Sequence, residues 1–347
     1  MNLGQIGEFA ILRDHLIPAL GQVGKHLGDD CSILPITEDI SIVLTSDRGA
    51  RPLAWSLPGL QIDYADAGWL AVVASVSDLA TAGARPFAIT NDIEAPGTMP
   101  IEQLTQFAKG VAEACEAFEL HHGGGDLARS NEFTTHTAAI GLLNGKHFVG
   151  RHHCEPNDCV FALGPMGALA SAYLHARREG LNTLCDAERA ALLRPRPQLT
   201  PMRALVGRGL VNAASDCSDG VIGALLNIVE ASGLGIELIP DSIDLPLEVI
   251  AEASASHLSP WNLFFFWGDW QVVATARSDR IDEVKSLIGN TQLRILGRVI
   301  DSPRELVARQ DSRLFPVAAV RNENFKSVGF ASSLDDHLDF MLTTKIF

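Results

Sequence analysis

Apolar side chains recur at helical spacing through Ile6, Phe9, Leu12, Leu16 and Leu20. This predicts a helix over residues 5–20, closed by Gly21 and Gly24. Two strands are expected on either side of the stretch 35–39, the second carrying Ile40, Ile42 and Leu44. Residues 48–61 hold Gly49, Pro52, Pro58 and Gly59 and read as a loop. A long helix rich in Ala, Val and Ser is expected over 63–82, entered through Asp63 and stopped by Gly83-Ala84-Arg85-Pro86. Its small side chains predict close packing against a sheet or another helix. A strand over 87–91, a turn at 95–97, an amphipathic helix over 101–118 and a strand over 134–143 complete the first half. In the second half the pattern predicts strands over 158–163, 234–239, 271–275 and 294–299. It predicts helices over 168–178, 201–209, 221–232 and 280–288, and a rigid, proline-bearing connection over 193–201.

The mixture of strands and helices in both halves points to an α/β (α+β) class without the regular alternation of a dinucleotide-binding fold. With 347 residues the chain is expected to form two domains or two halves of one unit, divided as 1–149 and 150–347. Apolar residues make up 47% and charged residues 20%, ordinary for a globular protein. The formal net charge of −15 argues against a nucleic-acid partner, which selects basic surfaces, but not against nucleotides held through Mg²⁺. No apolar run reaches membrane-spanning length, and the first residues lack a charged-then-apolar leader, so no membrane partner and a cytoplasmic location are expected. The six cysteines form no CxxC pair, which makes zinc ribbons and disulfide frameworks poor readings.

Candidate chemistry lies in acidic residues at the ends of apolar runs. They are Gly28-Asp29-Asp30, Thr45-Ser46-Asp47, Val76-Ser77-Asp78, Gly123-Gly124-Gly125-Asp126 and Ser215-Asp216-Cys217-Ser218-Asp219-Gly220. Two like charges ~4 Å apart at an effective dielectric near 20 repel by roughly 4 kcal/mol, so adjacent carboxylates need solvent or a cation. Each aspartate alone reads equally as a solvated turn or a helix cap. Together, beside Gly, Ser and Thr, they suit a hard divalent cation such as Mg²⁺. The triple glycine lets backbone amides approach a phosphate, or is simply a flexible turn. Phosphate loops of the GxxxxGK[ST] kind, GxGxxG after a strand and a kinase-type His-Arg-Asp loop are absent.

The ordered succession of these motifs, above all Val76-Ser77-Asp78-Leu79-Ala80-Thr81-Ala82-Gly83-Ala84-Arg85-Pro86, resembles the thiamine-monophosphate kinase family. That family sits within the larger group of aminoimidazole ribonucleotide synthase, selenophosphate synthetase and hydrogenase maturation proteins. The resemblance runs from about residue 7 to about residue 300. It implies an N-terminal half whose mixed sheet forms a homodimer interface, and a C-terminal half covering a cleft for ATP and Mg²⁺. It implies that Asp30, Thr45, Ser46, Asp47, Asp78, Asp126, Asp216 and Asp219 are metal ligands or near-ligands, with Asp30, Asp47 and Asp219 at the chemistry. Gly124, Gly125, Arg151 and Ser218 fall at nucleotide-contacting positions. The implied activity is transfer of the terminal phosphoryl group of ATP to a small, anionic acceptor, thiamine monophosphate or another molecule. An ATP-driven ligase or cyclase, or a nucleotide-binding relative without turnover, is the alternative.

The acceptor side departs from that family. Where the family segment ends in a histidine, this chain has Ala54, preceded by Arg48 and Arg51. The family's Gly-Gly-Glu-Asp-Tyr-Glu becomes Phe266-Trp267-Gly268-Asp269-Trp270-Gln271, placing Gly268 at a glutamate position. The late Asp-His-Phe survives as Asp336-His337-Leu338. Arg48 and Arg51 read either as binders of an anionic acceptor or as solvated loop arginines. The aromatic segment containing Trp261, Phe264, Phe265, Phe266, Trp267 and Trp270 is expected chiefly in the core, with some rings available to a pocket.

Overall fold

In the computed structural model, which describes residues 2–24, 27–145, 148–289, 293–322, 325 and 333–347, one helix joins the two halves. Helix α1 (Tyr64–Thr81) starts at Asp63, whose side chain accepts a hydrogen bond from the Ala65 amide. From Ala67 through Thr81 it is buried without interruption. Its small residues permit this. A Cβ on Gly68 would lie 2.1 Å from the Phe107 carbonyl oxygen, and one on Gly110 only 1.9 Å from that of Ala65. Helix α2 (Ile101–Ala117) therefore crosses α1 at backbone-contact distance.

The N-terminal sheet holds six strands: β1 (Ser32–Pro35), β2 (Ile40–Arg48), β3 (Arg85–Ala95), β4 (His121–His122), β5 (Leu127–Arg129) and β6 (Thr134–Asn144). Their order is β1-β2-β6-β3-β4, with β5 also against β3. One face packs on α1. The residues Val43, Thr45 and Asp47 of β2 point to this inner face, while Leu44, Ser46 and Arg48 point to the outer one, as the two-residue period of a strand requires. Strand β3 runs longer than its apolar pattern suggests, and Pro86 is accommodated at a register shift between Pro86 and Ala88.

The C-terminal sheet has seven strands in the order β13-β12-β9-β11-β7-β10-β8. They are β7 (Cys159–Leu163), β8 (Ala214–Asp216), β9 (Gly235–Leu238), β10 (Val272–Ala276), β11 (Leu293–Ile300), β12 (Leu306–Gln310) and β13 (Arg313–Pro316). Helices α3 (Ala168–Glu179), α4 (Asp186–Leu193), α5 (Leu199–Val206), α6 (Gly220–Ser232), α7 (Leu247–Ala255), α8 (Pro260–Phe264), α9 (Ile281–Ile288) and α10 (Leu334–Thr343) accompany it. Phe161, Leu163, Val272 and Ala274 share one apolar core with α1, so the two sheets sandwich that helix. A second core gathers Phe264, Phe265, Phe266 and Trp267 with residues of α3, α6 and α10. Four rings of the aromatic segment are thus core, while Trp261 is partly buried against it and Trp270 against the first core.

Several elements differ from the sequence pattern. The first helix is broken into Leu3–Ile6, Glu8–Ile11 and Ile17–Leu20, with a π-wound turn at Leu12–Leu16. Gly7 has φ +89°, and Pro18 removes an amide that a continuous α-helix would need. The segment ahead of α6, expected to open a helix, contains strand β8, whose short run pairs with β10. Among the described residues no helix is long and apolar enough to cross a membrane.

Candidate functional site

The inner face of β2 meets the middle of α1. Thr45 Oγ1 donates to Asp78 Oδ2 at 2.5 Å. Asp47 shares a hydrogen bond with the same carboxyl group. One residue earlier on α1, Ser77 Oγ donates to Asp216 Oδ2 at 2.8 Å, and Asp216 is the last residue of the edge strand β8. Ser218 Oγ donates to Asp216 Oδ1 at 2.9 Å. Asp30, just ahead of β1, completes the group: one carboxylate oxygen from each of Asp30, Asp78 and Asp216 lies within 4.8 Å of the others. The adjacent carboxylates of the Asp29-Asp30 pair are drawn apart. Asp29 Oδ1 accepts the Arg151 amide at 2.6 Å, whereas Asp30 Oδ1 pairs with the Arg151 guanidinium, whose Nη1 also donates to the Gly28 carbonyl at 3.2 Å.

Three carboxylates from distant segments are therefore crowded in one buried place. Burial pushes the Asp78 carboxyl well above its ordinary range, and the charges of Asp47, Asp216 and Asp30 push it further. Burial, then the Asp30 charge, carries Asp216 up to about 8. Asp47 is raised by burial, against the hydrogen bond with Asp78 that lowers it. Among the described residues Asp30 Oδ2 is buried with no hydrogen-bond partner. A buried acceptor without a donor and an excess of negative charge are both relieved by a cation. The donor set consists of oxygens alone, which suits Mg²⁺ rather than a soft metal.

The other predicted residues fall around this group in different ways. Ser46 is exposed on the outer face of the sheet, so its side chain turns away from Thr45 and Asp47. Asp126 is exposed; its amide donates to Asp92 Oδ1 at 2.9 Å, and its carboxylate is not one of the three that converge. The glycine loop follows β3: the Asn91 amide donates to the Gly124 carbonyl at 3.0 Å, and a Cβ on Gly125 would lie 1.8 Å from the Asn91 carbonyl oxygen. Asp219 precedes α6, and burial raises it to about 6. Sequence reasoning left out Ser77 and Ser215. Ser215 Oγ reaches Asp30 Oδ1 at 3.4 Å and accepts from Asn227 at 3.2 Å. Their signal was present in the Ser-Asp dipeptides, where the hydroxyl neighbours the carboxylate that matters.

On the acceptor side, Ala54 is fully buried in the C-terminal core. Arg48 is on the outer face of β2, opposite to Asp47. The Arg51 guanidinium lies 5.7 Å from the centroid of the Trp55 ring. Asp269 accepts from the amides of Gly167 at 2.5 Å and Leu169 at 2.8 Å, capping α3. His337 is buried beside Trp267, with ring centroids 4.4 Å apart.

Two family models match the chain: AIR synthase related protein, N-terminal domain, over residues 28–143, and AIR synthase related protein, C-terminal domain, over residues 155–308. A thiamine-monophosphate kinase of Halobacterium salinarum is 31% identical over 282 residues, covering 81% of this chain and 90% of the relative. One from Mycobacterium tuberculosis is 27% identical over 316 residues, covering 88% and 89%. A solved structure described as AaThiL complexed with AMPPCP and TMP superposes with a TM-score of 0.76 at 22% identity, covering 90% of this chain and 96% of the other. The hydrogenase maturation protein HypE of Escherichia coli has a TM-score of 0.64 at 17% identity, covering 80% and 86%.

Proposed function

Because this chain belongs to the AIR synthase related family and is an ATP-dependent kinase, we propose that it transfers the terminal phosphoryl group of Mg²⁺-bound ATP to a small anionic acceptor other than thiamine monophosphate. The observation that carries the phosphoryl-transfer half is the convergence of Asp30, Asp78 and Asp216, of which Asp30 keeps a buried Oδ2 without a partner among the described residues. These three would hold Mg²⁺, with Asp47 beside them. When bound, that ion would neutralise charge on the moving phosphoryl group and hold donor and acceptor in line. Thr45 and Ser77 fix the rotamers of Asp78 and Asp216 through their hydroxyls. Ser218 and the glycine loop border the nucleotide. Arg151 keeps a buried Nε without a partner among the described residues, and it would be available to a phosphate oxygen. No side chain has to act as a nucleophile, so positioning and charge carry the rate.

The altered acceptor is supported by the residues on that side. Ala54 and Gly268 offer no hydrogen-bonding side chain where the related kinases are read to have one, and a site stripped of such groups discriminates against its former substrate. Domain division near residue 150, a cytoplasmic location and a homodimer paired through the outer face of the N-terminal sheet belong to the same reading. ADP release from Mg²⁺-ATP, measured with thiamine monophosphate and with a panel of phosphorylated and carboxylated small molecules, tests it. ADP formation with a panel member and little with thiamine monophosphate is expected. Efficient thiamine diphosphate formation overturns the altered acceptor, and no ADP with any acceptor overturns the kinase.

A further inference from the structure

A row of polar side chains crosses the N-terminal sheet from the carboxylate group to the glycine loop. Asp47 of β2 lies opposite Thr137 of β6, and Thr137 lies opposite Asn91 of β3. Strand β4 comes next, with His122 aligned with Ile89. Asn91 and Thr137 are both buried. Asn91 Nδ2 donates to Thr137 Oγ1 at 2.6 Å, and Asn91 Oδ1 lies 3.1 Å from His122 Nε2. The other nitrogen of that ring reaches the loop: the Gly124 amide donates to His122 Nδ1 at 3.3 Å. Helix α1 joins the row at Ser75, two residues before Ser77, where the hydroxyl donates to the Thr137 carbonyl at 2.6 Å.

These partners settle where the ring carries its proton. A nitrogen that accepts from an amide is bare, so His122 is neutral with its hydrogen on Nε2, directed at Asn91 Oδ1. His122 is exposed, so core packing does not account for it. The loop it touches has little else to fix its shape. Gly124 has φ +115°, a conformation that glycine reaches without strain but at a cost in entropy. A Cβ on Gly125 would lie 1.8 Å from the Asn91 carbonyl oxygen, so the loop runs against β3 at the very residue that orients the ring.

We propose that His122 is a positioning residue for nucleotide binding: its neutral ring, held by Asn91, keeps the glycine loop in the shape that receives a phosphate group. The Gly124 amide is spent on the ring, and what the ring supplies in return is order in the loop before the nucleotide arrives. The inference rests on the kinase reading above and adds to it a residue outside the cation site. Through Ser75, Thr137 and Asn91, the loop and the helix that carries Asp78 are tied into one geometry.

Titration calorimetry on the full chain tests this with two probes, each with Mg²⁺: the β,γ-methylene analogue of ATP and inorganic tripolyphosphate. Wild type is compared with His122→Leu and His122→Asn. Leucine fills similar space but accepts no hydrogen bond, whereas the asparagine oxygen can take the amide two residues on, as in an Asx turn. His122→Leu is expected to lose about tenfold in affinity for both probes, and His122→Asn to stay within about threefold of wild type. Unchanged affinity in His122→Leu overturns the role of the ring. Tighter binding overturns it as well, because the ring would then be withholding the Gly124 amide from phosphate. An equal loss in both variants does the same, since the bond to that amide would not matter. Should His122→Leu not fold, nitrogen-15 NMR of wild type carries the test: a bare Nδ1 and a protonated Nε2 on His122, kept when the ATP analogue binds, are expected, and any other protonation state overturns the proposal. A wild type that binds neither probe overturns the kinase reading and the loop's role with it, a result distinct from the others.

Discussion

Asp216 shows how one residue links function to stability. Its carboxyl is raised to about 8 in the fold, against about 3.9 in an unfolded chain. The folded state therefore holds a proton that the unfolded state has released, and stability present below about pH 4 is lost as pH rises through about 8. Mg²⁺ competes for the same oxygens and gains most where the proton has left. The increase in Tm on adding Mg²⁺, followed by differential scanning fluorimetry, is expected to grow between about pH 5 and about pH 8. In Asp216→Asn the metal-free protein should lose much of its pH slope, the Mg²⁺ increment should shrink, and kinase activity should fall at least about 100-fold. A Tm increment independent of pH and unaffected by the substitution would remove Asp216 from the cation site. At this scale the sequence was partly legible. The aspartates declared themselves because each sits in a short motif of small and hydroxyl residues. Which way a side chain faces was not legible: Ser46 and Asp47 are neighbours in one motif, and only the strand register sends one outward and the other onto Asp78.

Helix α1 is the element on which the site depends, since it carries both Ser77 and Asp78 between the two sheets. Its composition foretold close packing, and its limits agree with the sequence pattern to within about a residue because Asp63 and Gly83 mark its ends chemically. Elements without such marks escaped notice. Strand β8 is three residues long and continuous with the polar run Ser215–Asp219, so its pairing with β10 leaves no periodicity to read. The close crossing with α2 yields a prediction at this scale. In Gly110→Ala the new methyl must displace the Ala65 carbonyl, from which it would stand 1.9 Å. Overpacking of this kind costs about 1–3 kcal/mol. The midpoint of urea unfolding should fall by the corresponding amount at unchanged slope, and the Mg²⁺ response of the folded variant should weaken as α1 shifts. An unchanged midpoint would show that the helices separate freely and that α1 does not set the site's geometry.

At the scale of the molecule, the N-terminal sheet buries one face on α1 and has its other face uncovered among the described residues. Leu34, Ile40, Leu44 and Phe87 are 39–42% exposed, and Leu44 aligns with Ile140 across the sheet on that face. A row of apolar side chains on an open sheet face is the kind of surface that marks an interaction site rather than a solvated one. Polar residues close one end of it, where Arg48, His136 and Asp92 align across β2, β6 and β3. A surface with an apolar middle and polar side chains of both charges at its rim suits a two-fold axis. The expected mass in sedimentation at micromolar concentration is that of two chains. Leu44→Glu places one charge at the middle of each partner's surface, and on an isologous interface the two copies lie near each other. That variant should sediment as one chain while retaining the Mg²⁺-dependent Tm increment, because Leu44 points away from Thr45 and Asp78. A wild-type protein that sediments as a single chain across this range would leave the face to another partner and separate assembly from the kinase site.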